Sequence, residues 1–95
     1  MNVLVLVAPG SEEIETVAIV DTLVRGGIDV VLASCCPTGA RQIRASRGVQ
    51  LVADCHLDEL TTRDFDAMVV PGGLPGSEVI RDTPLAIDLL REQAD

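Results

Sequence analysis

The chain has 95 residues and a mass of 10.0 kDa, which allows one small domain with one core and leaves no room for a cofactor domain beside a catalytic one. Its 47% hydrophobic residues, 23% charged residues and mean hydropathy of +0.36 describe a globular chain, since disordered segments are poor in Val, Ile and Leu. The net charge of −8 sets 15 acids against 7 cations, all of them Arg, and Phe65 is the only aromatic, so a basic face for phosphates and a stacking platform for bases are both missing and nucleic acid is not an expected partner.

Residues 1–8 form an almost unbroken aliphatic run closed by Pro9-Gly10, the pattern of a strand buried on both faces. Ser11 follows as a cap candidate, with Glu12 and Glu13 suited to the positive end of a helix dipole. Ile14, Val17, Ala18, Leu23 and Val24 then recur at helical spacing until Arg25-Gly26-Gly27 ends the helix. Residues 28–34 read as a second buried strand, and a strand, helix and strand joined by tight turns imply a right-handed crossover with the strands parallel.

Pro37-Thr38-Gly39 predicts a turn, and the extended pieces 42–45 and 49–53 flank Ser46-Arg47-Gly48 as a small antiparallel excursion. A helical turn is expected over 57–60 and a third core strand over 65–70, broken by Pro71-Gly72-Gly73. Thr83-Pro84 opens a last helix through Leu85, Ile87, Leu89 and Leu90. Alternating strands and helices with glycines at the strands' carboxyl ends predict an α/β fold with a parallel sheet, whose ligand site lies near residues 9–15 and 71–76. With three or four parallel strands in hand, one sheet face and one edge await a cover, so the chain reads as a single domain over 1–95 that is incomplete at its C-terminus.

No apolar run approaches the roughly 18 to 20 residues needed to cross a bilayer, and the start lacks the basic residues and cleavage site of a signal peptide. A cytoplasmic protein with no membrane partner is expected. Three cysteines, of which Cys35 and Cys36 are adjacent, make neither an even disulfide framework nor a Cys-x-x-Cys zinc pattern, so no metal is expected.

Glu15 follows the first strand by one helical turn and points toward the predicted crevice, where a carboxyl is a usable acid or base; alternatively the first-turn acids only satisfy helix amides. Gly72 and Gly73 let backbone amides approach an anion or oxyanion, or simply make a tight turn. The Gly72, Gly73, Gly76 spacing is neither a dinucleotide nor a P-loop fingerprint, so no nucleotide cofactor is expected. Cys35-Cys36 reads as a redox pair or as small core hydrophobes, and Cys55-His56 as a nucleophile and base or, more readily because strand neighbours point to opposite faces, as a structural thiol beside a solvent-facing imidazole. Arg25 and Arg47 are candidates for an anion or a partner's carboxylate, or are solvated caps.

Four segments together resemble the DJ-1/PfpI superfamily, most closely its bacterial DJ-1-like branch that includes YajL, once labelled ThiJ. They are VLVLVAPGSEEIETV (3–17), VDTLVRGGIDV (20–30), SRGVQLVAD (46–54) and FDAMVVPGGLPGSE (65–78). The resemblance implies a flavodoxin-like parallel-sheet α/β sandwich, similar to class I glutamine amidotransferases, of which this chain is the N-terminal half. It implies that Glu15 is the glutamate whose carboxyl hydrogen-bonds a reactive cysteine and promotes its thiolate. Gly72 and Gly73 would be oxyanion-site glycines, and Asp21, Arg25 and Arg47 would lie near a homodimer interface.

Family members are roughly twice as long, and their nucleophilic cysteine sits on a strand-to-helix elbow with an A-I-C-A type motif beyond the end of this chain. Cys35, Cys36 and Cys55 do not match that elbow, His56 does not match the family's downstream histidine, and Ala45 stands where relatives often carry a peripheral cysteine. The implied complete protein is a cysteine-dependent glyoxalase or deglycase-type hydrolase acting on small dicarbonyls or glycated protein, with no cofactor. The alternatives are a redox-responsive chaperone or oxidative-stress sensor, and a PfpI-type intracellular protease or amidase. The 95 residues alone are expected to lack this catalysis and to pair with a second copy or with the missing C-terminal half.

Overall fold

In a computed structural model, residues 1–60 and 65–72 are described. Their elements are β1 (Asn2–Val7), α1 (Glu13–Arg25), β2 (Asp29–Ser34), β3 (Gln42–Arg44), β4 (Gln50–Val52), β5 (Cys55–His56), a 3-10 turn over Leu57–Glu59, and β6 (Ala67–Val69). The expected last helix and Gly76 lie outside the described residues. Strands β5, β2, β1 and β6 form one parallel sheet in that order, while β3 and β4 pair antiparallel as a separate hairpin.

Strand β1 is central because both of its faces are apolar. Leu4, Leu6 and Ala8 join Ala33, Cys35, Leu57 and Phe65 in one cluster. Val7, on the opposite face, joins Ile43, Ala45 and Ala53 in a second cluster. β2 runs alongside in register from Asn2↔Asp29 to Val7↔Ser34. Each fully buried aliphatic side chain of β1 contributes about 1.5–3 kcal/mol through removal from water. The expected third core strand is present as β6, shorter than predicted and only half-buried, since β1 is its one partner in the described sheet.

β5 is a parallel strand of two residues that sequence patterning missed, since Cys55-His56 carries no β-branched signal. The predicted N-cap also moves by one residue. Ser11 is buried and spends its Oγ accepting from the Ala8 amide at 3.0 Å, closing the turn in which Gly10 adopts φ +91°. Glu12 caps α1 instead, its carboxylate accepting from the Ile14 and Glu15 amides. Gly27, at φ +81°, ends the helix region as expected, in a backbone region costly for other residues.

α1 buries only Glu13 and Thr16; Ile14, Val17 and Val24 are exposed. With the hairpin, the helix borders an apolar groove of about 350 Å3 lined by Val17, Val20, Val24, Leu51 and Val52 together with Asp21. A second hollow beside it is lined by Ile14, Ala18 and Val49. No helix among the described residues is long and apolar enough to cross a membrane.

Candidate active site

The carboxyl ends of β1 and β6 converge on the first turn of α1. The Gly72 amide donates to Glu15 Oε1 at 2.7 Å, and the Glu12 amide donates to the Gly72 carbonyl at 2.9 Å, so the two segments are laced together in both directions. A Cβ at position 72 would stand 3.1 Å from Glu15 Oε2 and 3.3 Å from Oε1, so a side chain there would press on the carboxylate and make it shift by a few tenths of an ångström. The sequence placed Glu15 and Gly72 at one crevice, and the structure brings them into direct contact. Gly72 also does something the sequence did not suggest: the amide expected at an oxyanion donates to a carboxylate. Glu15 itself is exposed, and Gly73 lies outside the described residues.

A second carboxylate in the same helical turn, which the sequence presents only as a first-turn acid, has partners of its own. Glu13 is buried and accepts from Ser46 Oγ at 2.9 Å and from the Arg47 amide at 2.9 and 3.2 Å. Its own amide, opposed by partial burial and aided by the Ser46 hydroxyl and the Arg47 and Val49 amides, holds this carboxyl below the usual range. Only the adjacency of Ser46 and Arg47 to a turn hinted at it, since the two partners are 33 and 34 residues away.

The remaining predicted residues lie away from the Glu15–Gly72 contact. Asp21 and Arg25 pair on the exposed side of α1 through Arg25 Nε at 3.0 Å, an i,i+4 pair that contributes about 0.3–0.5 kcal/mol. Arg47 sits at the hairpin turn, where its backbone binds Glu13. Arg25 and Arg47 are thus engaged separately. Ala45 is buried in the second core cluster.

His56 corrects one expectation, because the imidazole is buried rather than solvent-facing. Nδ1 accepts from the Asp58 amide at 3.1 Å, so Nε2 carries the proton and donates to the Cys36 carbonyl at 2.8 Å. The Glu59 carboxylate closes the cap by accepting from the His56 amide at 2.8 Å. Arg41 Nε, at 2.9 Å, and the same His56 amide hold Glu59 down to about 2.

The three thiols are free and differ sharply. Burial, reinforced by Asp58, pushes Cys35 up to about 12. For Cys36 the upward push of burial is outweighed by the Thr38 hydroxyl, at 3.1 Å, and the Thr38 and Ala40 amides, so this thiol is lowered. Cys55 is raised by burial and then by Glu59 and Asp54. Among the described residues no three His, Cys, Asp or Glu side chains group as a metal site.

Comparison with known proteins places this geometry in a family. Protein dj-1beta of Drosophila melanogaster is 40% identical over 92 residues, which cover 97% of this chain and 48% of that protein. Glutathione-independent glyoxalase DJR-1.2 of Caenorhabditis elegans is 32% identical over 93 residues, again 97% of this chain and 48% of the relative. The solved structure of oxidized Toxoplasma gondii DJ-1 superposes with a TM-score of 0.90 at 42% identity, covering 96% of this chain and 48% of that one. This chain thus spans about half the length of these relatives. The DJ-1/PfpI family model matches residues 1–95, and the chain belongs to that family.

Proposed function

We propose that the chain is the N-terminal half of a cysteine-dependent glyoxalase or deglycase-type hydrolase, with Glu15 as the carboxyl that tunes its nucleophile. The observation that carries this reading is the 2.7 Å hydrogen bond from the Gly72 amide to Glu15 Oε1. It fixes a carboxyl at the carboxyl ends of two parallel strands, where α/β sheets bind ligands. One oxygen accepts from Gly72, and the other is proposed to meet the thiol of the elbow. The thiolate adds to a dicarbonyl's carbonyl carbon and the carbonyl oxygen takes up the charge. The Gly72 amide already donates to Glu15, so the oxyanion role that the family resemblance gives to Gly72 and Gly73 is proposed for Gly73, which lies outside the described residues. The glyoxalase relative from Caenorhabditis elegans supports the substrate class.

The same reading pairs two copies across the groove between α1 and the hairpin. Exposed Ile14, Val17, Val24, Val49 and Val52 support it, with Asp21 in the lining and Arg25 and Arg47 on the same two elements.

An intact mass measured under denaturing conditions comes first, because it reports whether the polypeptide continues into the elbow. Methylglyoxal consumption is then followed for the polypeptide that carries it. Glu15→Leu is expected to slow both turnover and thiol alkylation by about tenfold or more. An unchanged thiol titration overturns the role given to Glu15. Absent turnover with reversible oxidation of the thiol would favour the redox-responsive chaperone or sensor.

A further inference from the structure

Glu13 and Glu15 lie two positions apart in the first turn of α1, about 200° around the helix, and bind different parts of the molecule. Glu15 reaches the exit of β6 through Gly72. Glu13 reaches the turn of the β3–β4 hairpin through Ser46 and Arg47. The turn end of that hairpin has two further ties to the same short stretch: the Gly10 amide donates to the Arg44 carbonyl, and the Ser46 amide to the Ser11 carbonyl, both at 2.9 Å. The end of the hairpin is thus fastened at residues 10–13, directly before the carboxyl that binds Gly72. The hairpin and α1 are also the two walls of the apolar groove.

We infer that Glu13 is a positioning residue that couples the groove to the Glu15 crevice: its buried carboxylate clasps the hairpin to the helical turn from which Glu15 reaches Gly72. Pressure on the hairpin from an occupant of the groove is passed through Ser46 and Arg47 to that turn, and by linkage a change at the crevice alters the groove equally. The inference rests on the proposed function for the meaning of Glu15, but its test involves neither turnover nor a cysteine. Failure of the enzymatic reading and failure of the coupling are therefore separable.

Amide hydrogen exchange in the full chain, followed residue by residue, tests the clasp. Glu13→Ala is expected to speed exchange of the Arg47 and Gly72 amides about tenfold while the Leu4 and Leu6 amides of β1 keep their rates. Glu13→Gln should restore most of the protection, because its carbonyl accepts from the Arg47 amide while its NH2 donates to Ser46 Oγ. If Arg47 responds without Gly72, or if β1 accelerates by the same factor, the coupling is overturned. Should Glu13→Ala fail to fold, Ser46→Ala decides, since it weakens the clasp from the hairpin side. Unaltered Arg47 and Gly72 rates in Ser46→Ala would overturn it equally.

Discussion

Strand β1 and helix α1 are neighbours in sequence, yet they dispose of their aliphatic residues in opposite ways. Val3 through Val7 are at most 4% exposed, whereas Ile14, Val17 and Val24 on the helix are 77%, 52% and 57% exposed. Both segments carry several Val, Leu or Ile residues, but those of β1 fill a core made by this chain and those of α1 face a groove. Hydrophobic periodicity identifies the element, and the surroundings decide whether the chain itself supplies the cover.

Leu6→Ala and Val17→Asp test that contrast most severely. The first should cost about 2–5 kcal/mol in urea unfolding, as expected for a cavity in a closed core. The second should change unfolding at low protein concentration by about 0.5 kcal/mol or less, and shift its largest effect to self-association measured by sedimentation. If Val17→Asp unfolds the chain as severely as Leu6→Ala, the groove is core after all.

Acid titration probes the same boundary from the polar side. The turn bearing Leu57, which seals the core beneath β1, is held by Glu59. The folded state keeps this carboxyl near 2 against an ordinary 4.5, so it binds fewer protons than the unfolded state. Its stabilisation is complete above about 4.5 and is lost as the pH falls toward about 2. Glu59→Gln should therefore flatten the stability profile across that window, measured by urea unfolding at each pH. The difference should shrink in high salt, since Arg41 and Glu59 are half in water. An unchanged slope would mean that the cap does not hold the core closed.

The parallel sheet, the crossover and the hairpin were legible because aliphatic runs and glycine turns state them locally. The placing of Glu15 beside Gly72 was legible too, since a strand followed by one helical turn brings that residue to the strands' carboxyl ends. The burial of His56 was not, because alternation along a strand tells which residues share a face but not which face is inside. Nor was the cap at Glu12, which follows from Ser11 being engaged by Ala8. Glu13 escaped for a third reason: its role exists only once the hairpin has folded back against the helix.

Strand β2 is followed directly by two adjacent cysteines that meet different surroundings. Cys35 joins the core with its thiol near 12, while Cys36 faces the Thr38 turn with its thiol lowered. A slip of β2 by one residue against β1 would carry one of the two thiols into the other's place. Because Cys35 is buried and Cys36 half-buried, the pattern in which the two thiols are alkylated is expected to report whether β2 lies in its native frame, with no residue replaced.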